Sequence, residues 1–146
     1  MVVQVESLIR PQIMKTRLDL NFFDLESPMW ACVHFTTSSA ESIRERFKNR
    51  SEVKIYSFDG MANPSLMEGV RRTLEFPYFG HNWDAMNDCL RDLSWISFRS
   101  LVLVIENSSA LWMKQDFEAG QLLESWLFSA ESWAEQGKAF HLVFVV

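Results

Sequence analysis

The chain has 146 residues, a formal net charge of −5, 48% hydrophobic residues and 14% aromatic residues. Such a chain buries enough apolar surface to offset the entropy of ordering, which excludes a disordered protein and removes the need for a disulfide or metal staple. The acidic balance argues against a general nucleic-acid binder, and two cysteines, Cys32 and Cys89, make a poor disulfide framework and point to a reducing cytoplasm.

Residues 1–27 carry weak signals: VVQV has the form of a short strand, Pro11 interrupts the pattern, and LDLNFF alternates faintly. The opening residues lack a basic lead followed by a small-residue cleavage site, so a cytoplasmic location is the expectation. Residues 30–35 read as a strand rich in bulky side chains. Ser38 followed by Glu41 fits a capping box, and Ala40, Ile43 and Phe47 then mark an amphipathic helix to about Asn49.

Residues 53–58, VKIYSF, form the next expected strand, closed by the turn signal Asp59-Gly60. Asn63-Pro64 offers a cap and a first-turn proline for a helix with Leu66, Met67, Val70 and Leu74 on its buried stripe. Pro77 is expected to stop it, since proline disfavours helix at the residue before it. A tight aromatic loop comes next, then a helix over 82–93. Residues 101–105, LVLVI, are apolar throughout, which suits a strand covered on both faces of a parallel sheet. A short helix at 109–114, a long one at 117–136 ended by Gly137, and a strand at 140–146 complete the chain. Strands alternating with helices define an α/β layer fold. No apolar run approaches the ~20 residues that span a bilayer.

Charge is uneven along the chain. Residues 1–58 hold 7 acids and 8 bases, whereas residues 59–146 hold 12 acids and 6 bases. The plain reading is solubility; the sharper one is a negative surface that steers a basic protein partner. The glycines give neither GxGxxG nor GxxxxGK spacing, so no nucleotide loop is read. Trp126 and Trp133, two helical turns apart, fit core packing, with an exposed aromatic patch as the alternative.

The densest segment is residues 76–93, FPYFGHNWDAMNDCLRDL. Trp83, Met86, Leu90 and Leu93 form a packed stripe on a helix, while Asp84, Asp88 and Asp92 recur every fourth residue on another face. Like charges at that spacing cost a few tenths of a kcal/mol per pair, so they are either a solvated face or a functional one. His81, Asp84 and Asp88 have a spacing open to a metal, but lack a third carboxylate and outer support. Paired aspartates also suit acid–base chemistry in a hydrolase, but need a cleft, and Cys89 beside an apolar stripe reads as buried filler before it reads as a nucleophile. No catalytic residue, cofactor or metal site is assigned.

The same run resembles the motif of the barstar family, small intracellular inhibitors of ribonucleases. The matching residues are Pro77, Tyr78, Phe79, Gly80, Asn82, Trp83, Asp84, Ala85, Asp88, Cys89 and Leu90. The resemblance covers about residues 53–146. It implies an α/β fold with a three-stranded parallel sheet packed by helices, and the WACVHF strand with its basic helix has the form of a βα unit able to extend it. Residues 51–146 are then the barstar-like domain, and residues 1–50 an extension packed on it. The resemblance also implies a protein that binds rather than catalyses, an antitoxin or immunity protein. Its partner is a basic protein, a ribonuclease or other toxin, with no direct nucleic acid and no membrane. Tyr78, Gly80, Asn82, Asp84 and Asp88 are the implied binding residues. Phe79, Asp92, Glu131 and Ser132 stand at the implied rim, the last two where the family pattern places an acid in the last long helix. The alternatives are a module of the same fold with a different toxin or regulator as target, and a hydrolase or metal enzyme built on Asp84 and Asp88.

Overall fold

A computed structural model describes residues 24–28, 31–62 and 65–146. The strand expected in VVQV, the alternation in LDLNFF, Trp30 and the Asn63-Pro64 cap fall outside the described residues.

The described chain runs β1 (Val33–Thr36), α1 (Ala40–Arg46), β2 (Val53–Asp59), α2 (Leu66–Thr73), α3 (Trp83–Asp92), β3 (Ser100–Glu106), α4 (Ser108–Lys114), α5 (Asp116–Ala134) and β4 (Ala139–Val145). All four strands are parallel, in the order β1-β4-β3-β2. The sheet therefore has four strands rather than the three that the family resemblance implies. The added strand is the short VHFT segment, which pairs with β4 from Val33↔Leu142 to Thr36↔Val145.

Two consecutive apolar strands occupy the centre for the reason read in the sequence. β3 and β4 are each buried over their first six residues. Because side chains alternate across a strand, each feeds both faces. Leu101, Leu103, Ile105, Phe140, Leu142 and Phe144 pack with residues of α2, α3 and α5 in the larger core. Val102, Val104 and Val143 pack with Ile43 and Ala40 of α1 on the opposite face. Full burial of a large aliphatic side chain contributes roughly 1.5–3 kcal/mol, so these two strands anchor the sheet.

Helix ends refine the expected boundaries. Ser39, not Ser38, caps α1, its Oγ accepting the Ser42 amide at 3.1 Å. α1 ends at Arg46, short of Asn49. Ser65 caps α2 by accepting the Glu68 amide at 3.1 Å. The stop after α2 comes before Pro77: Glu75 turns left-handed (φ 56), and the amides of Phe76 and Glu75 return to the carbonyls of Arg71 and Arg72 at 3.0 and 3.2 Å. Gly137 (φ 74) closes α5 in the same way, with the Lys138 amide on the Trp133 carbonyl at 3.0 Å. Among the described residues no helix is long and apolar enough to cross a membrane.

Candidate functional site

The loop between α2 and α3 is built on aromatics. Phe76 is buried and meets Phe79 edge-on at 5.6 Å and Trp95 at 5.8 Å. The Trp95 indole donates to the Leu74 carbonyl at 2.8 Å, which holds this floor against α2. Tyr78 stands on the outer side of Trp95 at 6.0 Å, 50% exposed. Its hydroxyl donates to Asp92 Oδ2 at 2.5 Å, and that carboxylate pushes the phenol up to about 12. The same bond holds the Asp92 carboxyl below its ordinary range. Tyr78 and Asp92 thus form one unit, which their separation in the sequence did not suggest.

The turn into α3 is made by His81, which is left-handed (φ 58) and packs on Phe79 at 5.0 Å. Gly80 does not supply that turn. A Cβ there would meet Ala85 Cβ at 3.4 Å and Asn82 Nδ2 at 3.6 Å, which is ordinary contact. Asn82 caps α3 as expected: its Oδ1 accepts the Ala85 amide at 2.7 Å, and its amide nitrogen reaches the Gly80 carbonyl at 3.4 Å.

From that fixed start the helical periodicity sorts the side chains. Met86, Cys89, Leu90 and Leu93 are buried, and Trp83 is half-buried against the same core. Asp84 and Asp88 are exposed. Their Cα atoms are separated by about 6 Å along the axis, one helical turn. Asp88 pairs with Arg91 at 3.2 Å, and the Arg91 guanidinium lies 4.8 Å from the ring centre of Phe128 on α5. The far end of α3 is tied down by the Trp133 indole, which donates to the Leu90 carbonyl at 2.8 Å.

Cys89 fastens the loop to the helix. Its thiol donates to the Tyr78 carbonyl at 3.2 Å and is fully buried. Burial pushes the thiol up, aided by Asp92 and Asp88, so the reactive thiolate is disfavoured. We expect native Cys89 to react with a thiol reagent at least about a hundredfold more slowly than in denaturant, because attack waits for local opening. Peptide-level mass spectrometry of timed labelling checks this, and labelling at the rate of an exposed thiol would contradict the placement.

An open cleft of about 380 Å³ lies beside Asp84, between α3 and α5. It is lined by Trp83, Asp84 and Asn87 from α3 and by Gln121, Glu124, Ser125 and Phe128 from α5. Asn87 Oδ1 is buried without a hydrogen-bond partner. Glu124 is the α5 acid that shares this cleft with Asp84. Glu131 and Ser132 are not part of its lining and lie further toward the C-terminal end of α5. Gln121, Glu124 and Phe128 escape a reading of the sequence that tracks only the apolar stripe of α5. Their signal is the spacing i, i+3, i+7, a polar and aromatic face on an otherwise buried helix.

Among the described residues no group of three or more His, Cys, Asp or Glu side chains is placed to hold a metal ion. The arrangement offers rigid, spaced carboxylates, a broad phenol and a cleft with unsatisfied acceptor capacity. Those are the means of gripping cationic side chains.

Fold and face together define a small parallel α/β protein that presents an acidic helix and an aromatic loop on one side of its frame. The family model described as Barstar (barnase inhibitor) matches residues 57–145, and the chain belongs to that family. β1 and α1 lie before the matched stretch. No curated protein and no solved structure matches the chain.

Proposed function

We propose that this protein inhibits a ribonuclease by seating Tyr78, Asp84 and Asp88 in a basic active site. The observation that carries the reading is the pair Asp84 and Asp88, exposed on one face of a helix that is fixed at both ends. Asn82 fixes its start, and the Trp133 indole on Leu90 its finish. A ribonuclease cleft must attract phosphates, so it presents Lys, Arg and His. Two carboxylates one turn apart answer that field, and because they are held in place, little ordering entropy is lost on binding.

Asn82 belongs to the same surface as the cap that starts the helix, and Gly80 through the carbonyl that meets the Asn82 side chain. Phe79 and Trp83 support it from behind. Asp92 orients Tyr78, and Glu124 extends the negative surface across the cleft. Glu131 and Ser132 remain at its outer margin. The mechanism is steric plugging with charge pairing and performs no chemistry. The same reading makes residues 51–146 the inhibitor domain, with the β1–α1 unit an extension packed on it. It also places the protein in the cytoplasm of the cell it protects, where its two thiols stay reduced.

The direct test is inhibition of barnase, the enzyme named in the family description. Its cleavage of RNA is followed as this protein is titrated in, alongside other secreted ribonucleases with basic clefts. Stoichiometric loss of activity is expected for at least one enzyme, at low salt first. Full activity of every enzyme at a large excess of this protein would sink the proposal and leave a non-ribonuclease target in its place.

A further inference from the structure

On the α1 face of the sheet, away from the acidic helix, two histidines from different strands meet in the interior. His34 on β1 is 4% exposed and His141 on β4 is 0% exposed. Their rings lie edge to edge, with centres 5.0 Å apart, planes 22° from parallel and His34 Nε2 at 2.8 Å from His141 Nδ1. On its other side, His141 Nε2 lies 2.9 Å from the carbonyl oxygen of Ser27.

The chemistry of these atoms fixes where the protons sit. A carbonyl only accepts, so His141 Nε2 carries a hydrogen. Neutral His141 then has a bare Nδ1, which accepts from His34 Nε2. The order is His34 Nε2–H to His141 Nδ1, and His141 Nε2–H to Ser27 O. This relay is complete with two protons. A third has to enter through His34 Nδ1 and makes a buried cation shared by two rings. A fourth sets one N–H against another.

Among the described residues, the charged groups of the neighbouring elements do little to welcome that charge. Residues 24–28 bring Asp24, which favours protonation of His141, and Glu26, which is already paired with Arg50 at 2.5 Å. Glu106 of β3 spends its Oε2 on the Ala40 amide at the start of α1, at 3.2 Å. α1 turns Ala40 and Ile43 toward the sheet. Cys32, before β1, is buried, and burial raises its thiol, so it stays uncharged. Burial holds His34 down to about 3, with His141 beside it the lesser cause, and burial also lowers His141.

We propose that this relay is an acid-sensitive clasp: while neutral it fastens residues 24–28 and the β1 edge to β4, and in mild acid it lets them go. A histidine held below its free value leaves stability untouched above about pH 6.5 and withdraws it as the pH falls from there, because the open form takes up protons that the closed form refuses. Each refused proton shifts the balance about tenfold per pH unit. Two histidines therefore raise the open fraction on the order of a hundredfold between pH 7.5 and pH 5.5.

The test is amide hydrogen exchange across that range, corrected for the intrinsic rate. The amides of Leu142 and Val146, bonded to the carbonyls of Cys32 and Thr36, report the β1–β4 seam. The β2–β3 ladder is the internal reference. The seam is expected to be less protected than the reference at every pH and to lose on the order of a hundredfold of its protection from pH 7.5 to 5.5. In the H34Q/H141Q double variant that pH dependence should vanish. Equal protection of both ladders at all pH values would overturn the clasp, because the pair would then open only with the whole fold. So would a pH dependence that survives in the double variant. If the variant does not fold, nitrogen NMR of the wild-type rings decides: both are expected as neutral Nε2–H tautomers at pH 7.5, and a ring of the folded protein that titrates near 6.5 refutes the proposal.

Discussion

Asp84→Ala and Asp88→Ala are each expected to weaken binding to a basic protein partner by about 2–5 kcal/mol, mostly through faster dissociation. The size comes from the group left behind. A partner cation desolvated by the complex and then deprived of its carboxylate has no water to replace it. The two variants differ in their starting states. Asp88 must give up Arg91, an exposed pair whose loss in the free protein matters little. Asp84 shares its cleft with Glu124, so Asp84→Ala leaves one acid in place and falls at the lower end of the range, whereas the D84A/E124Q pair falls further. Asp92→Asn should act differently, since the amide oxygen still accepts from Tyr78; it should chiefly slow association, as loss of a rim charge does. Kinetic titrations of these variants at two salt concentrations, against the ribonuclease that the inhibition assay selects, separate the effects. Salt should slow association of every form. Unchanged affinity for both Asp84→Ala and Asp88→Ala would remove this surface even if inhibition itself were found.

The parts of the fold that could be read from the sequence are those set by short-range pattern. The runs LVLVI and LVFVV are apolar at consecutive positions, short and rich in β-branched residues, which suits a strand covered on both faces, so β3 and β4 were legible. α3 was legible for a related reason: Asn82 supplies the cap, and Met86, Leu90 and Leu93 keep helical period. The features that escaped were set by contacts between distant segments. VHFT could be read as part of a strand able to extend the sheet, but nothing in its four residues says that its partner is β4, more than a hundred residues away. Ser38 and Ser39 are adjacent and equally able to cap, and the chain path chooses between them. The left-handed residue of the aromatic loop is His81 although Gly80 stands beside it, because the conformation is imposed by the aromatic floor and the Asn82 cap rather than by residue preference. The cleft residues Gln121 and Glu124 gain meaning only once α5 lies against α3. The histidine relay has the same character: its two rings are 107 positions apart and share no motif.

Trp126→Ala is expected to cost about 3–5 kcal/mol of folding stability, at the top of the range for a single truncation in a core. The side chain is 0% exposed and lies flat on Phe140, with ring centres 4.0 Å apart and planes 9° from parallel. Its indole nitrogen donates to the Phe140 carbonyl at 3.2 Å. Truncation therefore removes the transfer free energy of a large ring and opens a cavity between α5 and β4, where the surrounding strand cannot collapse. It also leaves a buried carbonyl short of one partner. Trp133→Ala belongs in the same range for a different reason. That ring meets Phe98 edge-on at 5.1 Å, and its indole ties the Leu90 carbonyl of α3 to α5. Its loss should therefore loosen the acidic helix as well as the core. Denaturant unfolding of both variants measures the cost, and binding kinetics on the folded fraction measures the second effect. Trp126→Ala should lower stability while leaving dissociation from the partner near wild type, and Trp133→Ala should change both. A loss below about 1 kcal/mol for both variants would contradict their placement in the core, since a buried indole cannot be removed so cheaply from a close-packed interior.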